Sequence, residues 1–363
     1  ADVGFQNGKA NGALVSTADA PSRNRVNSSS SLLGVRGTED LGGGLSAVYQ
    51  FETTISPDTA GAWAGVRDHF VGLDSKQWGT LRLGNITTGF RLLGVMVDVM
   101  PGGTNIGSLT GAAGGVMGAY AYGAINTATG AGIAGANSGA ANFNNRVANS
   151  VNYKSPMFGG FWFDATYGAN EGKTTAIDPE LWNITGAFAS GPFKIAAGYE
   201  SHDDFANGLP AALTTVAGVT THTEDDAWRI VGEYVFGNFT FRLGYENAEW
   251  TTNSKVAGNA DKVETDTWVI GGKWKIGNGE IRGQYADQSM DLHAVGESSD
   301  SADSSMWTIG YGHMMSKRTE LYVYYAQINN DDTTGVSSLG GINYKVANAP
   351  DIANGGTFLA APA

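Results

Sequence analysis

The chain has 363 residues, no cysteine and a formal net charge of −13. The absence of cysteine excludes disulfides and thiolate metal sites, and the acidic balance argues against a nucleic-acid partner. Charged residues are only 16% and glycines number 53, which is less charge and more glycine than soluble domains carry.

The amino terminus, ADVGFQNGKA, lacks the apolar core of a signal peptide, and its strand signal is a stub, Ala1 to Phe5. LLGVRGTEDLGGGLSAVYQFE follows, from Leu32 to Glu52, as two alternating runs around an acidic turn and three glycines. Leu33, Val35, Leu45, Ala47, Tyr49 and Phe51 share one face; Gly34, Arg36, Ser46, Val48, Gln50 and Glu52 share the other. From Val99 to Asn145 lie 47 uncharged residues. The part from Gly111 to Ala136 is mostly Gly, Ala, Asn and Thr with few large apolar side chains, too weakly apolar and too rich in glycine for a membrane helix. Alternation then resumes in FWFDATYG (from Phe161), LWNITGAFAS (Leu181), FKIAAGYE (Phe193), AWRIVGEYVFG (Ala227) and FTFRLGYENAEW (Phe239). It continues in TWVIGGKWKIG (Thr267), EIRGQYADQSM (Glu280), SSMWTIGYGHMMS (Ser304) and TELYVYYAQINN (Thr319). Runs of this length cross a bilayer as tilted strands.

The connections also alternate. Short turns fall at Gly42-Gly43, Ser75 to Trp78, Met157 to Gly160, Gly191-Pro192, Gly237-Asn238, Asn278-Gly279 and Lys317-Arg318. Long polar segments lie between them, among them Ala169 to Glu180, Asp204 to Glu224, Thr251 to Glu264 and Asp291 to Asp303. Two unlike ends describe an up-and-down meander of the outer-membrane kind. Within Phe239 to Glu246 the large apolar residues alternate with Thr240, Arg242, Gly244 and Glu246, and in Trp268 to Ile276 with Lys273 and Lys275. Lipid cannot solvate Arg or Glu, so the charged face encloses water and the aromatic face meets lipid.

Catalysis finds little support. His69, His202, His222, His293 and His313 make no metal-ligand spacing, and the serines of SSSSLLG have no His/Asp partner pattern. Acidic pairs such as Asp203-Asp204, Asp225-Asp226 and Asp331-Asp332 read as solvated charge or as cation bridges to lipopolysaccharide. No catalytic residue, cofactor or metal is expected.

LLGVRGTEDLGGGLSAVYQFE with RDHFVGLDSKQWGTLRLGN, RVANSVNYKSPMFGGFWFDATYG and YGHMMSKRTELYVYYAQINN together resemble the general porins of Gram-negative bacteria, in particular the betaproteobacterial type. The resemblance implies one all-β domain over residues 1–363: a transmembrane antiparallel up-and-down barrel of sixteen strands in the outer membrane. It also implies a third loop folded into the lumen as a constriction, here about residues 87–145. It further implies a homotrimer among outer-membrane lipids and lipopolysaccharide, and passive diffusion of small hydrophilic solutes and ions. The alternatives are a non-conducting structural or adhesive barrel, a barrel enzyme and a soluble all-β protein.

The family's basic positions are kept only in part. Leu32 stands where a basic residue precedes the glycine of the second strand, and Asn85 where another follows Gly84. Arg146 is retained, Arg36 and Arg67 match further basic positions, and alternation turns Arg82 inward. On the loop side Asp98 is followed by 47 uncharged residues, and it either acts in the eyelet or ties the loop to the wall. The transverse field is therefore expected to be weak, as is ion selectivity, in a channel suited to small neutral or weakly polar solutes. In the alternative, Arg229, Arg242, Lys273, Lys275 and Arg282 restore an anion-preferring wall. About fifteen strands are visible, and the sequence after Asn330 offers no final one. The chain is thus expected to be short at both termini; otherwise Gly341 to Val346 must close the barrel.

Overall fold

The computed structural model describes residues 2–11, 20–28, 31–59, 66–100, 108–110, 116–118, 124–126, 131–133, 143–169, 171–204, 222–253, 260–294, 300–330, 338–339, 342–343 and 351–360. The alternating runs are strands. The first group is β1 (Asp2–Asn11), β2 (Ala20–Ser28), β3 (Leu32–Gly42), β4 (Leu45–Thr54), β5 (Val66–Ser75) and β6 (Gly79–Thr87). A helix, α1 (Gly89–Val97), and a small hairpin of β7 (Ala124–Asn126) and β8 (Ala131–Ile133) precede β9 (Arg146–Lys154). The meander then runs through β10 (Phe161–Ala169), β11 (Glu180–Ser190), β12 (Phe193–Asp203), β13 (Thr223–Phe236) and β14 (Phe239–Thr252). It goes on through β15 (Ala260–Ile276), β16 (Gly279–Ala294), β17 (Asp300–Ser316) and β18 (Thr319–Asn330). A second small hairpin, β19 (Ser338–Leu339) and β20 (Ile342–Asn343), comes before β21 (Asp351–Ala360).

Seventeen strands form one antiparallel sheet. Its ladders run in series from β2 to β1, β21, β18 back to β9, then β6, β5, β4 and β3. The two ends of the series, β2 and β3, follow one another in the chain with residues 29–31 between them. Among the described residues no ladder joins them, so the hydrogen-bonded ring is interrupted there. Alternation of direction round the series makes β2 and β3 point the same way. Counted as one broken strand, they reduce seventeen to the sixteen passes expected.

Two expectations are corrected. The first strand is longer than a stub, continuing to Asn11. A final strand does exist: β21 pairs with β18 from Glu320↔Ala360 and with β1 from Asp2↔Ala360. Residues Asp351–Ala360, rather than Gly341 to Val346, join the two ends of the chain's meander.

The exposed face is the apolar one. Val35, Leu83, Ile184, Leu243, Trp268 and Ile270 all stand open to the outside, which in water would be unfavourable and in lipid is not. On β10–β18 the outward aromatics line up into a belt. Trp182 lies 5.1 Å from Tyr199, Trp228 4.8 Å from Tyr245, Tyr245 4.3 Å from Trp268 and Trp307 5.1 Å from Tyr325, centroid to centroid. Tyr199 and Tyr245 donate onward to Asp226 and Asp266, and Tyr285 to Asp287 at 3.0 Å. One end of each ring is oily and the other wet, as at a headgroup boundary. At the opposite rim, Gly191, Gly237 and Gly277 open two-residue turns at φ +56° to +57°, a backbone that glycine adopts without strain. The turn read at Asn278-Gly279 is thus Gly277-Asn278, one residue earlier.

The apolar core sits inside the ring. Leu93, Val97, Leu109, Val116 and Met117 pack against Ala187, Ala196, Val231, Val269, Ala286 and Met306 of the inner wall. The in-folded chain therefore covers part of the inner wall.

Candidate functional site

The segment after β6 builds a helix for local reasons. The Thr88 hydroxyl accepts from the Arg91 amide at 3.1 Å and caps the start. Phe90, Leu93, Gly94 and Val97 then fall on one buried stripe, the spacing of an amphipathic helix. That stripe lies across the inner wall from β10 to β15. The wall makes room with small residues: a Cβ at Gly198 would meet Leu93 Cδ1 at 3.1 Å, one at Gly244 would meet Val97 Cγ2 at 3.1 Å, and one at Gly271 would meet Val99 Cγ1 at 2.8 Å.

Both ends are tied. At the start, Arg229 donates through Nη1 to the Phe90 carbonyl at 2.9 Å and stacks 4.4 Å above its ring. Arg229 and Glu246 form an ion pair with both side chains at 0% exposure, and Glu246 also accepts from the Gly118 amide. Asn144 donates to the Met117 carbonyl at 2.6 Å, and the Phe143 ring lies 4.7 Å from that of His202 and 5.4 Å from that of Trp250. At the finish, Asp98 caps the helix. Its carboxylate accepts from the Met100 amide, the Ser108 hydroxyl and the Leu109 amide at 2.7–2.9 Å, and its carbonyl accepts from Arg242 at 2.6 Å. Burial pushes the Asp98 carboxyl up, and these hydrogen bonds pull it back. At 7% exposure, Asp98 is nearly closed off and holds the returning chain.

Arginines gather at the start of α1. Arg67 faces Glu52 at 3.4 Å and Arg146 faces Asp68 at 3.2 Å. Asp68 also accepts from the Thr87 amide and hydroxyl, and Asn85 donates to the Arg67 carbonyl. Arg91 joins them and donates to the Asn144 carbonyl. Burial, then Arg146 and Arg67 beside it, push the Arg91 guanidinium down to about 10, which leaves it charged at neutral pH. Three guanidiniums against two carboxylates leave one formal positive charge.

The other expected residues lie elsewhere. Arg82 reaches Asn152 at 2.6 Å and 2.9 Å and Asp164 at 3.4 Å, under the Phe70 ring. Leu32 and Arg36 are on β3, opposite Thr54 and Gln50, with Gly34 between them facing Glu52, and Gln50 donates to Glu52 at 2.7 Å. Of the further bases, Arg229 is sealed from the channel, Arg242 pairs with Glu233 at 2.7 Å, and Arg282 pairs with Glu280 and Glu320 at 2.5–2.6 Å. Lys273 is 3.9 Å from Glu280, and Lys275 makes no ion pair among the described residues. Arg91, and the pairing of the inward Arg229 with Glu246 beneath the loop, are what sequence reasoning missed. The Gly/Ala-rich run with Tyr120 and Tyr122 lies largely outside the described residues, as does most of the segment Asp204 to Glu224.

Comparison with known proteins follows the same lines. Major outer membrane protein P.IA of Neisseria meningitidis serogroup B (strain MC58) is 34% identical over 111 residues, 29% of this chain and 28% of that relative. A serogroup C form is 40% identical over 78 residues, 21% and 19% of the two. The chain thus matches well under a third of the length of these curated relatives. Among solved structures, the anion-selective porin from Comamonas acidovorans superposes with a TM-score of 0.71 at 22% identity, covering 99% of this chain and 98% of that one. The trimer form of OmpT from Vibrio cholerae gives 0.64 at 15%, covering 99% and 98%. A Gram-negative porin family model matches residues 1–333. With that match over most of its length, the chain belongs to the Gram-negative porins, a β-barrel of the outer membrane.

Proposed function

We propose that the protein is a passive channel for small hydrophilic solutes and ions, with residues 87–145 as its constriction. The observation that carries this reading is α1, laid against the inner wall by its buried stripe while Leu92 and Val95 stay exposed on its other side. Conductance in planar bilayers tests it. A silent protein would favour a structural or adhesive barrel.

Charge selectivity is weak with a lean toward anions. The cluster of Arg67, Arg91 and Arg146 exceeds its acids by one charge, while the net −13 favours cations at the mouths. Unit charges about 4 Å apart interact by roughly 4 kcal/mol at an effective dielectric near 20, so single charges here are readable. In a salt gradient, Arg91→Gln is expected to move the reversal potential toward cations, and Leu32→Arg with Asn85→Arg toward anions. Unmoved potentials in both variants would sink this reading.

The assembly is a homotrimer joined through β3–β6 and β9. Their outward residues are largely aliphatic, including Leu33, Val35, Val71, Leu73, Leu81, Leu83 and Val151, with Tyr49 and Phe51 of β4 and Trp78 of the β5–β6 turn as outward aromatics, whereas the paired Tyr/Trp belt runs over β10–β18. A mainly aliphatic sector outside the paired aromatic belt suits a neighbouring subunit, whereas the belt with its outward acids suits lipid and lipopolysaccharide. Val71→Glu with Leu83→Glu is expected to yield monomers in detergent by native mass spectrometry. Monomers already present in the unaltered protein would refute the trimer.

A further inference from the structure

The buried stripe of α1 accounts for one face of the helix. Its other face carries Leu92 and Val95, which are 49% and 48% exposed. They sit one turn apart, about 5–6 Å between Cβ atoms, and they point away from the wall that buries Phe90, Leu93 and Val97. An apolar step of this kind is out of place on the narrowest part of a channel that handles only hydrated ions. Directly beside it is the arginine cluster. Arg67, Arg91 and Arg146 each spend one side-chain N–H on a described protein partner, so their other donors are left for an anion. The amino-terminal end of α1 adds its partial positive charge.

We propose that this face is a transient binding step for small organic anions with an apolar body. The arginines take the carboxylate, while Leu92 and Val95 take the hydrocarbon chain. The inference rests on the channel reading above and names its substrate class. Polar anchors set in an apolar surface are the usual make-up of small-molecule sites. Here the contact is one-sided, which lets the solute leave, as conduction requires.

The test is single-channel recording in KCl with acetate, butyrate, hexanoate or succinate added. Dwell time is expected to rise about two-fold for each methylene from acetate to hexanoate, half the full-burial free energy. Succinate, which puts a second charge where butyrate has its methyl group, is expected to dwell for less time than butyrate. Leu92→Asn with Val95→Asn should flatten the chain-length series while acetate still blocks, and Arg91→Gln should shorten every dwell. A channel that conducts KCl with dwell times indifferent to chain length overturns this inference alone. So does a series that survives in the Leu92/Val95 variant, or succinate dwelling as long as butyrate. A protein that conducts no ion overturns the channel reading as well.

Discussion

Replacing Gly244 and Gly271 together by leucine is expected to dislodge α1 and widen the channel. The two glycines lie on the inner face of β14 and β15, where a Cβ would stand 3.1 Å from Val97 Cγ2 and 2.8 Å from Val99 Cγ1. A whole leucine at each place overpacks a filled site, at about 1–3 kcal/mol apiece. The strands have little reason to yield, because their ladders run in continuous register past both glycines on either side. The helix does, because it is nine residues long and held to the wall by side chains. Single-channel conductance and the size limit for sugars in liposome swelling should both rise, with the heat resistance of the barrel little changed. Gly272→Leu is the control. It makes the same change in the same strand, but its neighbours Trp268, Ile270 and Trp274 place it on the outer face, where the new side chain meets lipid. Equal conductance in the double variant and the control would show that α1 does not set the bore.

The barrel was legible because its strands face two unlike solvents. Leu243 against Arg242, or Trp268 against Thr267, states at each residue which side is lipid, and period-two alternation needs no knowledge of partners. β21 lacks that signal. DIANGGTFLA has two adjacent glycines, an Asn and an Asp, residues that strands avoid, and it forms through β1 and β18, both remote in the sequence. The helix was hidden differently. Thr88 followed by Phe90, Leu93 and Val97 is a cap and an apolar stripe in plain view, but the glycine-rich tract behind it draws the whole segment into one loop. Arg91 was lost with it. Asp98, Arg229 and Glu246 mark a firmer limit. Alternation says that Arg229 and Glu246 point inward, and both do. It does not say whether inward means water or the underside of a folded loop. Their partners, the Phe90 carbonyl and the Gly118 amide, lie more than a hundred residues away. The glycines at 198, 244 and 271 are silent in the same way, because their meaning is the side chain that lies on them.

Arg229→Met is expected to be the most damaging single change inside the lumen, and Glu246→Leu added to it should recover part of the loss. Arg229 and Glu246 are both withdrawn from water. Breaking such a pair from one side strands the other charge, at about 3–5 kcal/mol, whereas removing both with apolar residues of similar volume is often neutral. The pair also does two separable jobs. Toward each other, Arg229 and Glu246 neutralise the wall between β13 and β14. Toward the loop, Arg229 holds the Phe90 carbonyl and Asn144 while Glu246 holds the Gly118 amide. Methionine alone undoes both jobs, so the heat-unfolding temperature in detergent should fall and the current should flicker as the loop moves. The Met/Leu double variant restores the first job only. Its unfolding temperature should climb back toward that of the unaltered protein, but its current should still flicker, because the loop bonds stay lost. A double variant no more stable than Arg229→Met would mean that the stranded carboxylate was never the source of the damage. A double variant with a quiet current would mean that the loop is held elsewhere, by Asp98 and the Phe143–His202 stack, and that the arginine serves the wall alone.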